Sequence, residues 1–108
     1  MTIKETLLKL GVTPNLKGFY YVDNCTQRAI KCIENKRDIS FMQLYTDCAN
    51  DFNVTTASVE RCIRHTVDVA KKADSLLFGI MFEGIKNISC GLFIAMIAEH
   101  VMEDDGDD

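Results

Sequence analysis

The stretch from Tyr45 to Ala73 constrains the fold most, because its pattern predicts two amphipathic helices joined by a tight turn. In the first helix, Cys48, Ala49 and Phe52 recur at the spacing of one buried face. Asn53 follows, and asparagine is the non-glycine residue that most readily adopts the left-handed conformation that ends a helix. The pattern therefore predicts a helix that ends near Phe52, followed at once by a change of direction.

The second helix of this stretch has an apolar side and a polar, largely basic side. Thr55 or Thr56 is placed to cap it by accepting a hydrogen bond from a free backbone N–H. The residues of the apolar side are Val59, Cys62, Ile63, Thr66, Val67 and Ala70. The residues of the opposite side are Ser58, Arg61, Arg64, His65, Asp68 and Lys72, with Glu60 at its edge. A second helix with arginines on its outer face is typical of a DNA-binding helix-turn-helix.

The same pattern also has a plainer interpretation. Tight pairs of helices are common in all-helical proteins, and most of them bind no DNA. Charged residues on an outer helix face are usually only solvated. Pattern alone leaves both interpretations open.

The segment FNVTTASVERCIRH resembles the recognition segment in the C-terminal effector domain of the response-regulator family of stage zero sporulation protein A. Other blocks resemble this family in the same order, namely LGVTPNLKGFYY, LYTDCANDF, SLLFG and FIAMIAEHV. The resemblance covers roughly residues 3 to 102, and the run VERCIRH is its most discriminating part. It implies a sequence-specific regulator of transcription that binds double-stranded DNA.

By this resemblance, the base-reading residues are Glu60, Arg61 and Arg64. Arg61 and Arg64 are three positions apart and therefore project from one face of the helix. A guanidinium group matches the O6 and N7 edge of guanine, and the carboxylate of Glu60 can accept a hydrogen bond from the amino group of cytosine.

Contacts to the DNA backbone are expected around the start of the same helix. Thr55, Thr56 and Ser58 lie where free backbone N–H groups favour a phosphate. His65 is either a further contact to the DNA backbone or a surface residue. Together with the base-reading residues, these positions form the predicted DNA interface.

The remaining blocks predict an all-α domain of about six helices with a central helix-turn-helix, and the resemblance implies that it is of the winged-helix-like response-regulator effector type. Thr2 with Glu5 makes a plausible capping box for a first helix that ends at Gly11. The other predicted helices run from about 17 to 34, from a cap at Ser40 to 52, over 76–78 ending near Gly79, and from a cap at Ser89 onwards. The stretch 80–87 has no clear pattern.

No enzyme, metal site or cofactor is expected. The two histidines, His65 and His100, are 35 positions apart, and the five cysteines include no C-x-x-C pair. Cys62 and His65 fall on opposite sides of their helix, so they do not form a catalytic pair. No glycine-rich loop for phosphate is present either. The cysteine usage favours a reduced, cytoplasmic setting.

The charge is distributed unevenly. The net charge of the chain is −4. Residues 99–108 hold six of the 16 acidic residues and none of the 12 basic ones. The rest of the chain, its body, therefore has 12 basic and 10 acidic residues and a net charge of +2. Residues 1–102 are expected to form the domain and residues 103–108 a disordered acidic tail. A body so close to neutral favours a rival function: a protein-interaction module that pairs with a full-length regulator without binding DNA.

The family resemblance also implies two features of assembly. Copies of the domain would touch in tandem on DNA through the last helix, around Phe93 to Val101, and remain monomeric without DNA. The 108 residues leave no room for an N-terminal receiver domain. Two alternatives stay open: an excised or stand-alone effector domain, or a relative that is free of control by phosphorylation. No run of apolar residues approaches the length of a membrane span.

Overall fold

The computed structural model describes residues 1–105, with side chains up to Glu103, and these residues form six α-helices and no strand. The helices are α1 (Ile3–Lys9), α2 (Lys17–Glu34), α3 (Phe41–Phe52), α4 (Thr56–Ala73), α5 (Leu76–Met81) and α6 (Cys90–Asp105). The prediction of an all-α domain of about six helices is confirmed, and α3 with α4 is the predicted helix-turn-helix.

Short polar side chains fix where most of the helices begin. In five helices, a hydroxyl oxygen accepts a hydrogen bond of 3.0–3.3 Å from the backbone N–H three residues later. These capping residues are Thr2, Ser40, Thr55, Ser75 and Ser89. Thr55 is the cap of α4, so the choice between Thr55 and Thr56 is settled in favour of Thr55. The helix starts were predictable because serine and threonine are preferred capping residues and stand at these positions in the sequence.

The turn between α3 and α4 has the predicted conformation. Asn53 lies in the left-handed region at φ 54° and ψ 48°, and the N–H of Val54 donates to the carbonyl of Ala49 at 3.0 Å. Cys48 and Ala49 are buried as predicted, whereas Phe52 is 40% exposed and meets the ring of Tyr21 edge-on, with centroids 5.0 Å apart. Phe52 thus covers the core at its margin.

Helix α2 lies at the centre of the domain and packs against α1, α3, α4 and α6. Its buried side includes Phe19, Tyr21, Val22, Cys25 and Ala29. The predicted apolar side of α4 is buried, except that Cys62 is half-buried. The core therefore holds the back of α4 and leaves its other side to solvent.

Gly18 allows α2 to approach α4 closely. A Cβ atom there would lie 1.8 Å from Oγ1 of Thr66 and 2.5 Å from the carbonyl oxygen of Cys62. Only glycine allows this separation, because real Cβ contacts are not shorter than about 3 Å. The first turn of α2 is consequently held directly against the middle of α4.

The C-terminal part closes the core. Helix α5 extends to Met81, two residues beyond the predicted end near Gly79, and the rings of Phe82 and Phe93 stack with centroids 5.7 Å apart. Helix α6 continues through 103–105, so it runs into the segment predicted to be a disordered tail; residues 106–108 lie outside the described residues. None of the helices within residues 1–105 has the length and apolar character needed to cross a membrane.

Candidate nucleic-acid interface

Helix α4 presents a polar outer face opposite its buried side. Arg61, Arg64 and His65 are all exposed, and Glu60 is half-buried at the edge of this face. The packing of Ile63 and Val67 into the core fixes the rotation of the helix about its axis. The side chains predicted to read DNA bases therefore lie on one accessible helix face.

The arginines of this face have no partner within the described chain. Among residues 1–103, no side chain or carbonyl forms a salt bridge or hydrogen bond with the guanidinium group of Arg61 or Arg64. Arg28 differs, because it hydrogen-bonds Asp51 and lies 3.8 Å from Asp47. The fold thus uses Arg28 to join α2 to α3 and leaves Arg61 and Arg64 available to an external anion.

Arg28 and Asp51 form a solvent-accessible ion pair between α2 and α3. Hydrogen bonds from Asn24, at 2.9 Å, and from Arg28 hold the pKa of the Asp51 carboxyl below its ordinary value. The same hydrogen bond to Asp51 raises the pKa of Arg28. Both groups remain charged near neutral pH, so this cluster acts as a clamp between two helices.

Two open grooves run along α4, one on each side of its outer face. The first, which we call the α2-side groove, has a volume of about 450 Å³ and is lined by Asn15, Leu16, Lys17, Gly18, Arg61, Cys62 and His65. The second, the α6-side groove, has a volume of about 560 Å³ and lies between α4 and the chain at 87–91. Arg64 and Glu60 line the α6-side groove, so the two arginines lean towards opposite grooves.

One hydrogen bond links the start of α6 to the backbone of α4 in the α6-side groove. The thiol of Cys90 donates to the carbonyl oxygen of Glu60 at a distance of 3.8 Å. Burial raises the pKa of this thiol, and the nearby Arg64 acts in the opposite direction. Burial likewise raises the pKa of Tyr45, which lines the same groove. Arg64 therefore lines the same groove as the half-buried Cys90 and the buried Tyr45.

The predicted backbone-contacting residues cluster at the first turn of α4. Thr55 is exposed and already accepts a hydrogen bond from the N–H of Ser58 at 3.1 Å, which leaves its O–H to donate to a phosphate. Thr56 and Ser58 are half-buried. His65 lies two turns further along, in the α2-side groove, which the half-buried Cys62 also lines, so these two residues are not on opposite sides of α4 as the sequence predicted. The first turn and His65 are therefore separate potential contacts.

Sequence reasoning did not include Lys17 in the interface. Lys17 is exposed and lines the α2-side groove with Arg61, although 44 positions separate the two in the sequence. The only local signal is the following Gly18, because a glycine in the first turn of a helix suggests a close contact there. Tertiary packing alone brings Lys17 to α4.

The structure does not bring the two histidines together. His65 is exposed on α4, and His100 is half-buried on α6 with an Nε2 atom that has no hydrogen-bond partner among the described residues. No group of three or more histidine, cysteine, aspartate or glutamate residues in the described part of the chain is arranged to hold a metal ion. The five cysteines are all free thiols.

The fold defines an all-helical domain with a helix-turn-helix formed by α3 and α4, and the outer face of α4 carries two exposed arginines. The model of one protein family, described as the C-terminal domain of the sporulation initiation factor Spo0A, matches residues 3–101. The chain belongs to this family, and the family resemblance found in the sequence is confirmed. The family is a DNA-binding domain of sporulation regulators and is not a catalytic one.

Proposed function

We propose that this domain regulates transcription by binding double-stranded DNA at specific sequences, with α4 in the major groove. The observation that carries the proposal is the contrast among the arginines. Arg61 and Arg64 are exposed and unpaired within the described chain, whereas Arg28 is neutralised by two carboxylates. An arginine that stabilises a fold normally forms an ion pair with a carboxylate. Two arginines on one helix face without such a partner are therefore suited to bind an external anion.

Base reading is proposed for Glu60, Arg61 and Arg64. Arg61 and Arg64 can each form two hydrogen bonds with a guanine, and Glu60 can accept one from a cytosine. Since the arginines lean to opposite sides of α4, we expect them to read different base pairs. A good bidentate contact of this kind discriminates against a wrong base by about 1–3 kcal/mol.

Backbone contacts are proposed for Thr55, Thr56, Ser58 and His65. The exposed hydroxyl of Thr55 is the best placed of the three hydroxyls at the start of α4, where the free N–H groups of the helix also favour a phosphate. Contacts of this type position the helix and carry no sequence information. Their loss should therefore weaken binding to all sequences alike.

We also propose that copies of the domain touch in tandem on DNA through α6. Phe93, Ile97 and Val101 face the core, so this contact has to use other positions of the helix. Within 93–101, Glu99 is exposed, and Met96 is half-buried. A contact through a few surface positions of one helix is small and therefore weak. We expect the domain to be a monomer in dilute solution and to bind adjacent DNA sites cooperatively. A stable dimer without DNA would contradict this part of the proposal.

The experiment compares Arg61→Ala and Arg64→Ala with Arg37→Ala as a control. Arg37 is exposed in the loop between α2 and α3 and lines a cavity between these two helices, away from α4. We call it the α2–α3 cavity; its lining also includes Arg28, Gln43 and Asp51. A duplex selected from a random pool by the parent domain serves as the specific probe in fluorescence anisotropy. We expect each α4 variant to lose about 1–3 kcal/mol and to discriminate less at one base pair. The control should lose much less, and none of the three should unfold.

Equal binding of all sequences by the parent and both α4 variants would refute base reading by this face. The rival function, a protein-interaction module that pairs with a full-length regulator, is favoured by the body charge of only +2. Failure of the parent to bind any duplex at low salt, together with capture of a full-length regulator of the same family, would support that function.

A further inference from the structure

The α2-side groove is distinguished by its charge. Lys17, Arg61 and His65 line it, and none of its lining residues within the described chain is a carboxylate. The α6-side groove includes Glu60 and Asp68, and the cavity between α2 and α3 includes Asp38, Asp47 and Asp51. An anion that enters the α2-side groove therefore meets these cationic or basic side chains beside apolar ones such as Leu16, without a competing negative charge.

The position of this groove relative to α4 suggests which anion it meets. An α-helix with its side chains is about 10–12 Å across, and the major groove of DNA is about 12 Å wide, so a recognition helix fills the groove. An element packed beside such a helix then lies over a sugar–phosphate strand. The start of α2 is such an element, because Gly18 brings it into direct contact with α4 beside Arg61.

We infer that the α2-side groove seats one phosphate strand of the bound duplex, with Lys17 as a backbone-contacting residue that positions α4. This inference rests on the proposed DNA-binding function and adds a second helix to the interface. Lys17 is exposed, and no described residue pairs with its ammonium group, so the charge is available. We assign Lys17, which lies on α2, to the phosphate strand and not to a base edge, whereas Arg61 lies on α4 itself and stays assigned to the bases.

The size of the expected effect follows from counterion release. Each phosphate neutralised on B-DNA contributes about 0.9 to the slope of log K against log salt concentration. Over the tenfold range between 1 M and 0.1 M salt, one contact is therefore worth about 8-fold in affinity at 0.1 M. Because a phosphate contact is independent of sequence, the loss should be the same on specific and random duplexes.

The test measures DNA binding by Lys17→Gln, with Lys31→Gln as the matched control. Lys31 is an exposed lysine near the other end of the same helix, and it lines the α2–α3 cavity, so both variants remove one charge from α2. Affinity for the selected duplex and for a random duplex is measured at several salt concentrations. Lys17→Gln should lower both affinities about 8-fold at 0.1 M salt and reduce the salt slope by about 0.9. Lys31→Gln should change the slope much less.

A third variant, Lys17→Arg, separates charge from packing. It keeps the cation and should bind within about twofold of the parent, because a phosphate accepts either cation. If Lys17→Arg loses as much affinity as Lys17→Gln, or if Lys17→Gln behaves like Lys31→Gln, the inference is wrong while DNA binding by α4 stands. If the parent binds neither duplex, the proposed function itself fails, and this inference fails with it. Circular dichroism confirms that all three variants are folded.

Discussion

Replacing Gly18 with alanine tests how tightly α2 is held against α4. The new Cβ would lie 1.8 Å from Oγ1 of Thr66 and 2.5 Å from the carbonyl oxygen of Cys62, so atoms have to move. Rotation of the Thr66 side chain would break its hydrogen bond to the same carbonyl, which is 2.9 Å long. It would not relieve the contact with the carbonyl itself. The remaining response is a shift of α2 away from α4.

The magnitude of this effect combines three contributions. Overpacking of a well-packed contact costs about 1–3 kcal/mol, and loss of the Thr66 hydrogen bond adds about 1 kcal/mol. The better helix propensity of alanine offsets at most about 1 kcal/mol. We therefore expect Gly18→Ala to lower the free energy of unfolding by about 1–3 kcal/mol. In a domain of this size, each kilocalorie corresponds to a decrease in Tm of about 4–8 °C.

The assay is urea unfolding of Gly18→Ala beside Gly79→Ala. Gly79 is also a helical glycine, in α5, and a Cβ there would have no neighbour within 4 Å. The control should therefore be unchanged or more stable, by up to about 1 kcal/mol. The double variant Gly18→Ala/Thr66→Ala removes the contact with Oγ1 of Thr66 but keeps those with the Cβ of residue 66 and the carbonyl of Cys62, so part of the cost should persist.

The same stability change in Gly18→Ala and Gly79→Ala would refute the close approach of α2 to α4. Full recovery in the double variant would instead show that the carbonyl of Cys62 is not a barrier. Binding of DNA by Gly18→Ala gives a second readout. If α2 shifts, Lys17 moves away from Arg61, and the salt slope should fall as it does in Lys17→Gln.

Three further predictions concern the helix turn, an ion pair and the acidic tail. At Asn53, which has φ 54°, alanine should cost about 1 kcal/mol in urea unfolding, and glycine should be close to neutral. In the folded state the pKa of Asp51 is lower than its ordinary value of 3.8. The Asp51 carboxylate therefore stabilises the fold above pH 3.8, and this stabilisation is lost as the pH falls through the folded-state pKa. The stability advantage of the parent over Asp51→Asn, measured across pH, should therefore shrink below pH 3.8. Deletion of residues 103–108 removes five carboxylates and changes the net charge from −4 to +1. Because this reduces repulsion of DNA and is screened by salt, fluorescence anisotropy at two salt concentrations should show modestly tighter non-specific DNA binding at low salt only.

The acidic-tail prediction has a clear opposite outcome. If the truncated domain binds random duplex no better than the full chain at low salt, the tail does not compete with phosphates. A pH-independent difference between the parent and Asp51→Asn would likewise show that the carboxylate of Asp51 has the same pKa in the folded and unfolded states.

The sequence determined the local features of this domain. Hydroxyl-bearing caps, the asparagine at the helix turn and the spacing of apolar residues predicted α1, α2, α3 and α4 closely, because these signals act within a few residues along the chain. The common outer face of the two arginines of α4 was predictable for the same reason, whereas their role in base reading was implied by the family resemblance and stays a prediction. Arg61 and Arg64 are three apart on one helix, and their shared face follows from helix geometry once Ile63 and Val67 are assigned to the core.

Only the tertiary structure decided which charged side chains remain without an ion-pair partner and which apolar side chains remain exposed to solvent. The sequence does not distinguish Arg28, which is paired with carboxylates on α3, from Arg61, which has no partner in the described chain. It also does not show that Leu8 and Tyr20 are largely exposed, or that Lys17 lies beside Arg61. These outcomes depend on how helices distant in sequence pack together, and the period of a single helix carries no information about its neighbours.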